Sequence, residues 1–261
     1  MNVSSGIILR TREMLIHIIW VVVIGFISVA CTPGQSLLSP SHRPVIYHVR
    51  TDIPSSRGNS LYNSDELNYF LEIALGSEYG VGDFAVRKWT TDLQIEIFGQ
   101  PTPQDLQTIQ HVMDDLNSLI VPHIRMEIVP SNGNVQVYFI PESEFHNYEP
   151  PGIVYYGGFF WNWWNFAGEI NRARVVIATD GLSQKLRSHL IREELTQILG
   201  LMNDSVKYEE SIFYQQYSET TTYSNLDRSI IQMLYNDDIL PGMTDFEITE
   251  MLLRKNLKNR H

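Results

Sequence analysis

One cysteine, Cys31, is the only thiol in the 261-residue chain. No disulfide can form within it, so the fold must rest on a buried apolar core and not on cross-links. The material for a core is present: 43% of residues are hydrophobic and 19% charged, an ordinary balance for a globular protein, and the length suits one domain behind an N-terminal segment. The formal net charge of -11 argues against nucleic acid or an anionic lipid surface as principal partner, because both are held by clustered Lys and Arg.

Arg10 and Arg12 precede a nearly unbroken apolar run from Leu15 to Ala30, and Cys31 follows at once. Positive charge followed by an apolar stretch is the pattern of a secretory leader. The run falls short of the about 20 apolar residues that a membrane span takes, an uncleaved anchor being the alternative. Small residues crowd its end at Ser28, Val29 and Ala30. The placement of Cys31 resembles the lipobox of bacterial lipoproteins, with Ser28 where that motif prefers Leu. The resemblance implies that Cys31 is acylated and becomes the mature N-terminus. The expected organisation is a leader over 1–30, a lipidated Cys31 with a tether over 31–59 rich in Pro, Ser and Gly, and one domain over 60–261. Its location would be extracytoplasmic, at the cell envelope, held to a membrane through the lipid.

From Asn63 the pattern becomes periodic. Asn63 and Glu66 form a capping box ahead of Leu67, Phe70, Leu71 and Ala74 on one helical face. The stretch from Val86 to Gly99 alternates and is rich in β-formers, predicting a strand. Thr102 and Pro103 open a helix with Leu106, Ile109, Met113, Leu116 and Ile120 at helical spacing. "IRMEIVP" and "NVQVYFIP" predict strands joined by the turn "SNGN", and "ARVVIAT" predicts another before a long helix. Thr244 and Glu247 cap a last helix. This order predicts an α+β fold with a mixed sheet packed on helices and a helical C-terminal part.

The long helix, "HLIREELTQILGLMND", resembles the metal-binding helix H-E-x-x-H-x-x-G-x-x-H of metzincin-type zinc proteases. Glu193, Gln197 and Asn203 stand where the three histidines would be, while Glu194 and Gly200 keep the Glu and Gly. Downstream, "GLMND", "SIFYQQY" and "LDRSIIQMLYN" are similar in order and spacing to the matrixin-like frame, with Phe213 at the Met-turn methionine and Tyr217 at the turn tyrosine. The resemblance implies a zincin-like sheet and a pseudo-active-site helix. A second resemblance covers nearly the whole mature chain: "EELTQ-x-LGL-x-ND", "SIF" and "LY-N-D-x-I-x-PGM" look like a bacterial secreted and lipoprotein-like domain family of unknown function (family 2927).

Zinc takes imidazole, thiolate or carboxylate donors, usually three from the protein with a water at a catalytic site. Glu193 offers one oxygen, whereas the amides of Gln197 and Asn203 are weak donors. Without a metal, Glu194 has no activated water to deprotonate. No cofactor is therefore expected, and Glu193, Glu194 and Gln197 should form a polar cluster bonded to the turn beneath, through Tyr217 or Tyr235. A harder cation on Glu193, Asp204 and carbonyl oxygens is a further option. His189 shares a helical face with Glu193.

The stretch from Asn147 to Ile170 reads as an aromatic loop, with Tyr155, Tyr156, Phe159, Phe160, Trp161, Trp163, Trp164 and Phe166. It fits a platform for a peptide, glycan or envelope protein, a lip dipping into the membrane, or a lid over the empty site. The expectation is a non-catalytic binding or scaffolding module, with a cleft between the helix and this loop. The alternatives are a metallopeptidase with an atypical zinc site and Glu194 as general base, and a purely structural envelope protein.

Overall fold

A computed structural model of the chain describes residues 62–76, 84–148 and 157–258. The expected leader, Cys31 and tether lie outside the described residues, as do Tyr155 and Tyr156.

Helix α1, Ser64–Leu75, starts where the capping box predicts: Asn63 Oδ1 accepts from the amides of Asp65 and Glu66, and Glu66 returns a bond to the Asn63 amide at 2.8 Å. The predicted strand over 86–99 is two strands, β1 (Lys88–Trp89) and β2 (Leu93–Gly99). Asp92 breaks it, since its side chain and carbonyl take the Arg125 amide and the Asn134 side chain. Helix α2, Pro103–Ile120, follows its predicted cap, with Ile109, Met113, Leu116 and Ile120 buried. Leu106 is an exception: it is exposed, and Asp105 is wholly buried in its stead.

Strands β3 (Met126–Ile128) and β4 (Val135–Ile140) do not pair as a hairpin across "SNGN". Both run parallel to β2, which lies between them. The connection crosses β2 at Gly133, where a Cβ would stand 2.5 Å from the Gln94 carbonyl oxygen, so only glycine permits the passage. The aromatic stretch holds another strand, β5 (Gly158–Trp164), antiparallel to a long β6 (Glu169–Ala178). The sheet order is β1-β6-β4-β2-β3 with β5 also on β6, and every pairing but β5 with β6 is parallel. This is the mixed α+β sheet expected from the sequence.

Val135, Val137 and Phe139 of β4 join Ile109, Leu116 and Leu195 in the main core. On the opposite face, Ile140, Phe145, Phe159, Val176 and Ala178 make a smaller cluster beside the 3-10 turn Glu142–Asn147. Helix α3, Gln184–Gln197, packs along α2 and against β5 and β6. It ends at Gly200, whose φ of +115° and contact with Arg87 (a Cβ would lie 1.8 Å from its carbonyl oxygen) exclude any side chain. Helices α4 (Asn225–Leu234) and α5 (Asp245–Lys258) close the body, α4 packing on α1.

Asp105 fastens α2 to the start of α3. It accepts from the Thr102 amide and the Gln184 side chain, and its Oδ1 lies 3.2 Å from Arg187 Nε. Both partners are buried, so removing one strands a charge. Asp105→Ala should cost about 3–5 kcal/mol, measured by denaturant unfolding.

Candidate functional site

Helix α3 is enclosed on nearly all sides: Arg187, His189, Arg192, Glu194, Thr196 and Gln197 are buried beside its apolar residues. An enclosed polar group needs a partner. Arg192 Nη1 donates to Asp115 on α2 at 2.8 Å, and its guanidinium lies 4.5 Å from the centre of the Tyr223 ring. The Thr196 hydroxyl donates to the Arg192 carbonyl, so the Tyr223 hydroxyl at 2.7 Å is left to donate to Thr196. Burial pushes the Tyr223 phenol up to about 12, keeping that proton in place.

The positions that match the histidines of the zinc motif are each engaged by a different partner within the protein. Glu193 Oε2 lies 3.4 Å from His189 Nε2, while His189 Nδ1 donates to the Thr220 carbonyl at 2.7 Å. Gln197 donates its amide to Asp204 at 2.8 Å. Asn203 turns away to α1, where its side chain donates to the Glu72 carbonyl at 3.1 Å and packs on Gly76. One carboxylate and two amides, each occupied inside the protein, do not fit zinc. Among the described residues, no group of three His, Cys, Asp or Glu side chains stands close enough to hold a metal ion. Glu194 is buried against β5, where a Cβ on Gly158 would lie 3.2 Å from its Oε1.

Beneath the helix, the turn from Ser205 to Tyr223 is built around residues that the sequence reading passed over. Asp227 accepts from the Ser211 hydroxyl at 2.6 Å and from the amides of Ile212 and Ser224, and the Tyr69 hydroxyl of α1 lies 2.7 Å from Ser211. Burial raises the Asp227 carboxyl in spite of these donors. The signal was present as "SNLD", a capping box at Ser224. Phe213, at the Met-turn position, is fully buried in the core. Tyr217 is exposed and bonds Glu219, not the helix. Tyr235 does reach the helix end, donating to the Leu199 carbonyl at 3.0 Å.

Strand alternation divides the aromatics of β5. Phe160 packs on the main core, and buried Asn162 lies with Nδ2 3.5 Å from the Gln197 carbonyl. Phe159 joins the smaller cluster across the sheet. On that far face the Trp163 ring is covered by Arg172 at 3.9 Å and flanked by Arg174 at 5.5 Å, and Trp161 is register partner to Arg174. Trp164, past a register shift, lies beside Arg87 at 5.2 Å. Gly158 and Asn162 thus line the gap to α3, while Trp161 and Trp163 build a cation-lined aromatic strip behind it.

The fold and site define an α+β protein with a mixed, mostly parallel sheet and a long helix whose polar residues are largely buried. The chain belongs to the family described as "Protein of unknown function (DUF2927)", whose model matches residues 63–254. No curated protein matches it. Among solved structures it is similar to two of myroilysin, each 12% identical, with TM-scores of 0.36 and 0.40 over 57% and 64% of this chain and 82% and 92% of those. It is also similar to archaemetzincin from Methanopyrus kandleri, 12% identical, TM-score 0.29, over 65% of this chain and 96% of that one.

Burial lowers the His189 pKa, but the hydrogen bond and charge of Glu193 and the Thr220 carbonyl outweigh it, and the net shift is upward from 6.5. A group whose folded pKa is raised stabilises fully below its unfolded value and loses that contribution as pH rises through the folded one. Unfolding free energy should therefore fall as pH climbs past about 6.5, and His189→Gln should flatten that slope. Asp227→Ala, which strands a hydroxyl and two amides, should cost about 3 kcal/mol by the same assay.

Proposed function

We propose that the protein is a lipid-anchored extracytoplasmic module that binds or scaffolds at the cell envelope and carries out no zinc chemistry. The observation that carries this reading is that Glu193, Gln197 and Asn203 are each engaged within the protein: Glu193 with His189 one turn back on the same helix, Gln197 with Asp204, and Asn203 with the end of α1. Glu194 then serves the packing of α3 on β5. The strip of Trp161, Trp163, Arg172 and Arg174 supplies apolar area with cationic edges, which suits a peptide, glycan or protein ligand. Anchoring is supported by the lone Cys31 behind its charged and apolar leader. Among the described residues, no helix is long and apolar enough to cross a membrane.

Metal analysis of the full chain, purified in mild detergent without chelator, should find far less than one zinc per chain. Near-stoichiometric zinc that the Glu193→Ala, Glu194→Ala double variant loses would establish instead a metallopeptidase site with Glu194 as base. Anchoring is read separately: intact mass should show acyl chains on the chain beginning at Cys31, and Cys31→Ser should abolish them.

A further inference from the structure

Five of the large apolar side chains that stay exposed, Phe84, Trp164, Phe166, Leu240 and Phe246, belong to three segments that touch one another. Ala85 bridges Thr244, the Val86 amide donates to the Met243 carbonyl, and the Gly242 amide donates to the Val86 carbonyl, both at 2.8 Å. The turn between β5 and β6 lies against the same segment: a Cβ on Gly168 would stand 2.7 Å from the Gly242 nitrogen, and one on Gly242 would stand 3.0 Å from the Ala167 carbonyl oxygen.

This surface is firmly built. Asn165 holds the turn by accepting from the amides of Ala167 and Glu169, which presents Phe166 fully to solvent. Phe84 stands at φ +51°, a left-handed conformation that a bulky side chain adopts only under constraint, and the residue is 59% exposed. Clustered exposed aromatic and aliphatic side chains mark a surface meant to be covered.

The path of the chain indicates what covers it. The described body begins at Tyr62, whose hydroxyl accepts from Asn236 Nδ2 at 3.5 Å and which lies within the electrostatic reach of Asp238 and Lys255. Asn236 is four residues before Leu240. Tyr62, the first described residue, therefore packs at the start of the segment that carries Leu240 and Phe246. The rim is acidic, with Asp238, Asp245 and Glu247. Lys255 is paired with Asp238 and Arg87 lies over Trp164, so attraction to anionic lipid is not the driving force.

We propose that this patch seats the body on the interfacial layer of a zwitterionic phospholipid bilayer, with Phe166 and Phe246 inserted among the headgroups and upper acyl chains. Aromatic and Leu side chains partition to that depth through buried apolar area. The proposal deepens the anchoring reading and rests on it.

The test uses the full chain with Cys31→Ser, which has no thiol of its own, and adds Phe166→Cys, Phe246→Cys or the control Ile128→Cys at the exposed end of β3. Each is coupled to a nitrobenzoxadiazole dye and mixed with phosphatidylcholine vesicles carrying nitroxide-labelled acyl chains. The dyes at 166 and 246 should be quenched severalfold more than the dye at 128, and Phe84→Ser with Leu240→Ser should remove the difference. Equal quenching at all three positions on chain that floats with the vesicles would overturn the proposal. So would quenching that appears only after phosphatidylglycerol is added. Self-quenching without vesicles that the Phe84→Ser, Leu240→Ser variant abolishes would assign the face to a second copy instead. Acylation of the native chain, read by intact mass, stands or falls independently of these outcomes.

Discussion

Enclosing a helix that carries Arg187, His189, Arg192, Glu194 and Gln197 is the constraint on which the rest of the structure depends. Charges and amides cannot leave water without partners in place. α3 finds them on every side: Asp105 and Asp115 on α2, Tyr223 and the Thr220 carbonyl in the following turn, and Asp204 just past its own end. These attachments set the distance of α2 from α3 and draw the long turn from 205 to 223 against the helix. They make α3 the hub of the body.

A second buried carboxylate, Asp227, performs the same service for the other end of that turn. It gathers Ser211, Ile212 and Ser224, and through Ser211 it reaches Tyr69 of α1. The positions that would carry metal ligands in a zinc helix thus sit in a framework where polar side chains do mechanical work. Asn203 is the plainest case, because it closes the C-terminal end of α1.

The features legible in the sequence are those whose physics is local. The capping box at Asn63, and Thr102 as a cap ahead of Pro103, marked helix starts because these signals lie within a few residues of one another in the chain. Periodicity placed Ile109, Met113 and Leu116 inside. It failed at Leu106 and Asp105, since the burial of Asp105 depends on Arg187, eighty-two positions away. It failed also at "GFFWNWW", where aromatics on both faces hide the alternation of β5, and at "SNGN", which crosses β2 instead of turning a hairpin.

By itself the sequence determined the class of fold, the family, and the long helix whose pattern resembles a metal-binding one, because each is written in spacing along one stretch of chain. Only the tertiary structure decided that Asn203 bonds the end of α1, which aromatics lie behind the sheet, and that Phe84, Phe166 and Phe246 meet on one surface. Those outcomes depend on contacts between segments distant in the chain, and local pattern carries no record of which segments will meet.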